Sequence, residues 1–140
     1  MRFTALLVDI AFLFPPIILL SRQFSRNTST LLLLVFLIKP DSILIDHGHF
    51  QYNSLILGLI LFAFYCLLNS KFYLTCFFFT LALHSKQMSS YYALAFFAGL
   101  LGSTFQFYHN KTKVLVECIK YALIVFLVSL AIWLPWLGNW

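Results

Sequence analysis

The chain contains 140 residues, of which 62% are hydrophobic and 9% are charged, and its formal net charge is +5. An average soluble domain is about 45–50% apolar and about 25% charged. Nine Lys and Arg and four Asp and Glu residues cannot cover the surface of a water-soluble fold of this size, so the composition predicts an integral membrane protein. The cations are scattered singly between apolar runs, which argues against a nucleic-acid partner.

Six apolar runs follow one another along the chain and are separated by short polar connectors. The runs cover residues 5–20, 31–38, 55–68, 72–83, 91–107 and 114–137. A helix needs about 20 apolar residues to span a bilayer, a length that the last run reaches and the others reach only with flanking residues. The pattern predicts an all-α, multi-span helical bundle of about six membrane segments, forming a single membrane domain over residues 1–140.

The second run is expected to be a broken helix, because Lys39, Pro40 and Asp41 interrupt it. Proline removes a backbone donor, and a broken helix at membrane depth persists only where protein or a water-filled cavity covers the exposed backbone. Residues 31–53 are therefore predicted to bend into a cavity instead of crossing straight.

Charge predicts which connectors share a side of the membrane. If each run crosses once, connectors 21–30, 69–71 and 108–113 lie on one side and connectors 39–53 and 84–90 on the other. The first side carries six cations: Arg22, Arg26, Lys71, Lys111, Lys113 and the nearby Lys120. The second side carries three: Arg2, Lys39 and Lys86. The positive-inside rule makes the first side cytoplasmic, so both polar connectors, 39–53 and 84–90, are predicted to face the lumen.

Isolated polar and sulfur side chains inside the apolar runs are expected to have structural roles. Cys66, Cys76 and Cys118 share no close spacing, which predicts small buried or lipid-facing hydrophobes and no disulfide or metal site. Asp9 lies within the first run, and an acid there is expected to pair with a residue of a neighbouring helix.

The densest polar cluster occupies residues 46–53, with apolar runs on both sides. Its polar members are Asp46, His47, His49, Gln51, Tyr52 and Asn53. Polar groups close to the membrane core mark sites or pathways, but a solvated interfacial loop explains the same residues. Two further interpretations of Asp46 are that it orients a histidine by a hydrogen bond or that it lies at the start of a helix. A His-x-His pair without a distant partner is weak support for a metal, so no metal site is predicted.

A second polar cluster occupies residues 84–92 and contains a single cation, Lys86, followed by Gln87. Two interpretations of Lys86 remain open. A lysine at the membrane interface commonly extends its ammonium group to water. An ammonium group at that depth also suits the phosphate headgroup of a lipid carrier.

Residues 46–54, which read Asp-His-Gly-His-Phe-Gln-Tyr-Asn-Ser, resemble a signature of the asparagine-linked glycosylation glucosyltransferases. These multi-span enzymes of the endoplasmic reticulum move glucose from dolichyl phosphate glucose onto the lipid-linked oligomannose precursor. Supporting similarities lie at residues 1–9, 44–45, 86–88, 91–92 and 133–136. At positions 48 and 54, Gly48 and Ser54 resemble the residues of the family member that adds the first, α-1,3-linked glucose.

The resemblance implies a GT-C fold with a luminal active-site cavity, an inverting transfer, and no cofactor or metal. The donor is then dolichyl phosphate glucose and the acceptor Man9GlcNAc2-PP-dolichol. The binding residues are expected to be His47, His49, Gln51, Tyr52, Asn53, Lys86 and Gln87. The family's catalytic acid is expected in a luminal loop upstream of Met1, with Asp46 as the fallback base, so the chain is expected to be an internal portion of a longer enzyme and inactive alone.

Two other classes of protein remain as alternatives on the sequence. A transporter or channel subunit would use the polar connectors to line a permeation path, and broken helices are common in transporters. A non-catalytic membrane scaffold, such as a truncated copy of the enzyme, would show the same composition. Transport without glucose transfer indicates the first alternative, and neither activity indicates the second.

Overall fold

A computed structural model describes residues 4, 7–37 and 53–137. The chain forms two compact units, Met1–Tyr65 and Cys66–Trp140. In chain order the described helices are a π-helical segment Asp9–Leu13, α1 (Phe14–Ser21), α2 (Arg26–Leu37), α3 (Asn53–Leu68), α4 (Phe72–Ser85), a 3₁₀ helix Gln87–Tyr92, α5 (Ala93–Phe107) and α6 (Lys111–Leu137).

Every apolar run corresponds to an α-helix, which confirms the prediction of an all-helical protein for the described residues. The predicted connector 21–30 is wrong in part, because α2 begins inside it at Arg26. Local polar bonds support this polar first turn: Thr30 Oγ1 donates to the Arg26 carbonyl at 2.9 Å, and the Ser25 and Thr28 hydroxyls are 2.9 Å apart. Hydropathy does not detect a helix end of this kind. The predicted break near Pro40 lies outside the described residues.

Helix α6 is the one helix within the described residues that is long and apolar enough to cross a membrane. Its spanning stretch, Lys111–Trp136, is 26 residues long, and only 6% of the most apolar window is buried. From Tyr121 to Leu137 it carries no charged residue, a rise of about 25 Å against a hydrocarbon thickness of about 30 Å. Shorter apolar helices are Asp9–Ser21, Asn53–Leu68 and Phe72–Ser85.

The first unit is closely packed where the π-helical segment meets α3. A Cβ atom added at Gly58 would lie 2.2 Å from the carbonyl oxygen of Phe12. That carbonyl has no α-helical donor four residues later, because residue 16 is a proline and lacks an N–H group. Gly58 therefore lets the backbone of α3 approach a carbonyl that cannot receive an α-helical bond from Pro16, a contact that a Cα–H group can stabilise.

The core of the second unit lies between α4 and α6. Its buried members are Phe72, Cys76 and Tyr121. The Tyr121 ring packs edge-on against Phe72 and Tyr73, with centroid distances of 6.2 and 5.6 Å. Eleven residues further along α4, His84 contacts Ser129 of α6. Because residue numbers rise together along both contacts, α4 and α6 run parallel, and α5 returns between them in the chain.

Polar side chains inside the second unit are satisfied locally. Thr75, Thr80 and Thr104 are almost completely buried, and each hydroxyl donates to the carbonyl four residues earlier, at 3.2, 2.6 and 2.6 Å. Such bonds allow small polar residues to pack between helices without an unpaired group. Cys66 and Cys76 are buried free thiols and Cys118 is half-buried, which agrees with the prediction of small hydrophobes.

The close approach at Gly58 gives a testable prediction for the first unit. Gly58→Ala places a methyl group against backbone atoms that cannot rotate away, so we expect a loss of about 1–3 kcal/mol of stability, as for overpacking elsewhere. Denaturant unfolding in detergent micelles, followed by circular dichroism, measures this loss.

Gly102→Ala is the matched control, because a Cβ atom at Gly102 has nothing within 4 Å. There the substitution only raises helix propensity, and we expect no loss of stability. Equal unfolding midpoints for the two variants would contradict the close contact between Gly58 and Phe12.

Candidate functional site

The structure describes three of the residues that the sequence assigns to a site. Asn53 is the first residue of α3 and is partly buried, in the first unit. Lys86 and Gln87 are adjacent in the second unit, where Lys86 is partly buried and Gln87 is exposed. The other predicted site residues, Asp46, His47, His49, Gln51 and Tyr52, lie outside the described residues.

Lys86 is the corner residue between α4 and the 3₁₀ helix. Its backbone is extended, with φ −161° and ψ 143°, and both of its peptide groups are engaged. Its N–H donates to the Ala82 carbonyl at 3.3 Å, and its own carbonyl accepts from the Ser89 N–H at 3.2 Å. A single extended residue therefore separates α4 from the 3₁₀ helix, and the backbone that carries the lysine side chain is hydrogen-bonded on both sides.

Ser89 stabilises the turn at Lys86 through its side chain. It is completely buried, and its hydroxyl donates across seven residues to the Ala82 carbonyl at 2.9 Å. The same carbonyl receives the N–H of Lys86. From Gln87 onward the predicted polar connector 84–90 is therefore part of the 3₁₀ helix Gln87–Tyr92.

His84 joins this corner to α6. Its Nε2 atom lies 2.8 Å from the Ser129 hydroxyl, and that hydroxyl donates its proton to the Val125 carbonyl at 2.8 Å. The Ser129 hydroxyl therefore links the His84 ring of α4 to the backbone of α6. The sequence placed His84 in a polar cluster without a role, and this contact gives it a positioning role at the end of α4.

A second polar group lies at the opposite end of α4 and was not predicted. The Tyr73 hydroxyl donates to Glu117 Oε2 at 2.6 Å, and Lys120 Nζ lies 2.7 Å from Glu117 Oε1. The spacing of Glu117 and Lys120 by three residues on a helix indicates this pair. Tyr73 is 44 residues away from Glu117, and no local pattern reveals its contact.

A cavity of about 370 Å³ opens beside this group. Its lining includes Ser70 and Lys71 from the connector before α4 and Tyr108 from the connector before α6. Connectors 69–71 and 108–113 therefore lie at one end of the second unit. Lys86 lies at the other end of α4, a helix of 14 residues that rises about 20 Å. In the second unit the connectors before α4 and before α6 thus lie at the end opposite connector 84–90, while their sides of the membrane stay a prediction.

A larger apolar groove of about 520 Å³ runs along α5 and α6 between residues such as Phe97, Leu101 and Phe126. Within the described ranges, no three His, Cys, Asp or Glu side chains converge in a way that could hold a metal ion.

Comparison with known proteins identifies relatives along the whole chain. It is 36% identical to the probable dolichyl pyrophosphate Man9GlcNAc2 alpha-1,3-glucosyltransferase of Drosophila melanogaster, over 99% of this chain and 30% of that protein. The dolichyl pyrophosphate Man9GlcNAc2 alpha-1,3-glucosyltransferases of Gallus gallus and Saccharomyces cerevisiae are 39% and 40% identical, over 96% and 76% of this chain and 27% and 21% of theirs.

The chain spans less than a third of the length of these curated relatives. No solved structure matches it. The profile of the ALG6, ALG8 glycosyltransferase family matches residues 1–140, a match over the full sequence that agrees with the resemblance of residues 46–54. The chain belongs to the ALG6, ALG8 glycosyltransferase family.

Proposed function

We propose that this chain is a membrane portion of the glucosyltransferase that transfers glucose from dolichyl phosphate glucose to Man9GlcNAc2-PP-dolichol, forming an α-1,3 linkage in the endoplasmic reticulum membrane. One observation carries the proposal: relatives with this printed activity match 96–99% of the chain at 36–39% identity. The signature Asp46 to Ser54 lies inside the matched region.

The membrane architecture that we propose is a multi-span GT-C bundle. The 3₁₀ helix Gln87–Tyr92 continues directly into α5 (Ala93–Phe107), and together they rise about 34 Å, enough for a hydrocarbon core of about 30 Å. Large apolar side chains on both α5 and α6 are exposed, among them Leu94, Phe105 and Phe126. Lipid is the solvent that such surfaces require.

We place the Lys86 end of the second unit on the luminal side. The opposite end carries four lysines, Lys71, Lys111, Lys113 and Lys120, and cytoplasmic ends collect cations. Exposed aromatic residues at the Lys86 end support a second membrane interface there: Tyr91, Tyr92, Trp133 and Trp136. Tyrosine and tryptophan concentrate at that depth in membrane proteins.

The proposed chemistry requires a base that activates the acceptor hydroxyl and positive charge that receives the departing phosphate. We assign the phosphate of the donor to Lys86, assisted by His47 and His49, because Lys86 is a partly buried cation on an ordered backbone at the C-terminal end of α4. Gln51, Tyr52, Asn53 and Gln87 would shape the sugar pocket. The base is assigned to a luminal loop of the whole enzyme, and Asp46 is the fallback.

Segment exchange tests the proposed function. The matched segment of the Drosophila relative is replaced by this chain. The chimaera is expressed in cells that lack the glucosyltransferase that adds the first glucose. We expect glucosylated lipid-linked oligosaccharide, measured by chromatography of radiolabelled glycans. A chimaera that reaches the membrane in normal amount but transfers no glucose would overturn the proposal.

Lys86→Ala in the active chimaera tests the role of the ammonium group. Loss of a preorganised charge that stabilises the leaving group costs about 100-fold in rate, and we expect a loss of that order with unchanged membrane insertion. Lys86→Arg keeps the charge and should retain part of the activity.

Lys111→Ala is the matched control for Lys86→Ala, because it removes a lysine from the other end of the second unit. We expect normal transfer in this variant. His49→Ala should lower transfer as Lys86→Ala does, and normal rates in both would remove these residues from the site.

Accessibility labelling tests the proposed sidedness. Ser42→Cys and Met88→Cys should react with an impermeant maleimide only after microsomes are permeabilised, whereas Asn110→Cys should react in intact microsomes. The parent chain, with its native cysteines, gives the background. Labelling of residues 42 and 88 from opposite sides would refute a shared luminal site.

A further inference from the structure

The cavity at the α6 N-terminal end of the second unit combines an apolar wall with a cationic mouth. Phe72, Leu74 and Phe107 provide apolar lining, and Lys71, Tyr73 and Tyr108 provide polar groups, around a volume of about 370 Å³. An apolar side and a polar side within one cavity suit a molecule that is itself amphipathic.

The only acid among residues 66–140 is Glu117, which lines this cavity, so the net charge at the cavity depends on whether its carboxylate is compensated. Both of its oxygens are engaged, one by Lys120 at 2.7 Å and the other by the Tyr73 hydroxyl at 2.6 Å. The carboxylate is therefore neutralised within its own helix. The remaining cations at this end, Lys71, Lys111 and Lys113, are all exposed and leave an excess of positive charge.

The position of the cavity along α6 corresponds to the edge of the bilayer. Glu117 lies six residues after the start of α6 at Lys111, about 9 Å along the helix. The uncharged part of α6 begins at Tyr121, whose ring also lines the cavity. With α6 as a membrane span, the cavity opens at the level of the lipid headgroups.

We propose that this cavity binds the phosphate headgroup of an anionic glycerophospholipid, with Lys71 as its cation and Phe72, Leu74 and Phe107 against the upper acyl chains. Charge complementarity selects this occupant: basic pockets between membrane helices retain anionic headgroups. The site lies at the end of α4 opposite Lys86 and does not depend on the proposed transferase activity.

Native mass spectrometry of the chain, released from micelles that contain phosphatidylglycerol and phosphatidylcholine in equal amounts, tests the proposal. We expect phosphatidylglycerol adducts to exceed phosphatidylcholine adducts by about fivefold, the ratio that corresponds to one lysine near an anionic lipid surface. Equal retention of the two lipids would overturn the proposal.

Two variants separate the cavity from general surface charge. Lys71→Ala should abolish the preference, whereas Lys113→Ala, which removes an equal charge from the same end but lines no part of the cavity, should leave it. Leu74→Trp fills the cavity without changing charge and should also abolish it. An equal loss in Lys71→Ala and Lys113→Ala would show diffuse attraction and overturn the site.

Helix content and elution volume of each variant are measured alongside, and Leu74→Trp tests the cavity independently if Lys71→Ala misfolds. Addition of inorganic phosphate in large excess distinguishes a lipid from a free anion. We expect phosphatidylglycerol to remain bound, because its acyl chains contact the apolar wall. Complete displacement by inorganic phosphate would overturn the lipid assignment.

Discussion

The parallel packing of α4 against α6 is the contact on which the arrangement of the second unit depends. Aromatic contacts of Phe72 and Tyr73 with Tyr121 fix one end of it, and the hydrogen bond between His84 and Ser129 fixes the other. Because contacts exist at both ends, the two helices cannot slide along each other without breaking one set. This register separates Lys71 and Lys86 by the full length of α4 and gives each a different chemical environment.

Backbone geometry has the corresponding role in the first unit. Consecutive prolines at positions 15 and 16 remove two helical donors, and the helix widens to a π-helical segment just before them. In an apolar environment, backbone carbonyls that lose their α-helical donors need other partners. The approach of Gly58 to the Phe12 carbonyl is possible only without a side chain, so the proline pair and the glycine, 42 residues apart, form one structural feature.

Hydropathy was sufficient to predict the number and order of the six described α-helices, because each of them is built around an apolar run. It failed where helices begin on polar residues, as at Arg26 and Gln87, since bonds between hydroxyls and nearby carbonyls decide those ends. Lys86 could be identified as the single cation of the polar cluster 84–92. Tyr73 could not be connected with Glu117, because their contact depends on how α4 and α6 pack and not on any spacing within one segment.

Neutralisation of Glu117 also bears on the orientation of the unit. A carboxylate near the bilayer edge is costly unless a cation or donors meet it, and Lys120 and Tyr73 do so. One of the four lysines at that end is thereby engaged, and three remain against the single Lys86 at the other end. This excess of lysines still supports the proposed cytoplasmic location of the N-terminal end of α6. Lys86 then lies at the end of α4 opposite Glu117, on the side where the proposed function assigns to it the phosphate of the lipid-linked donor.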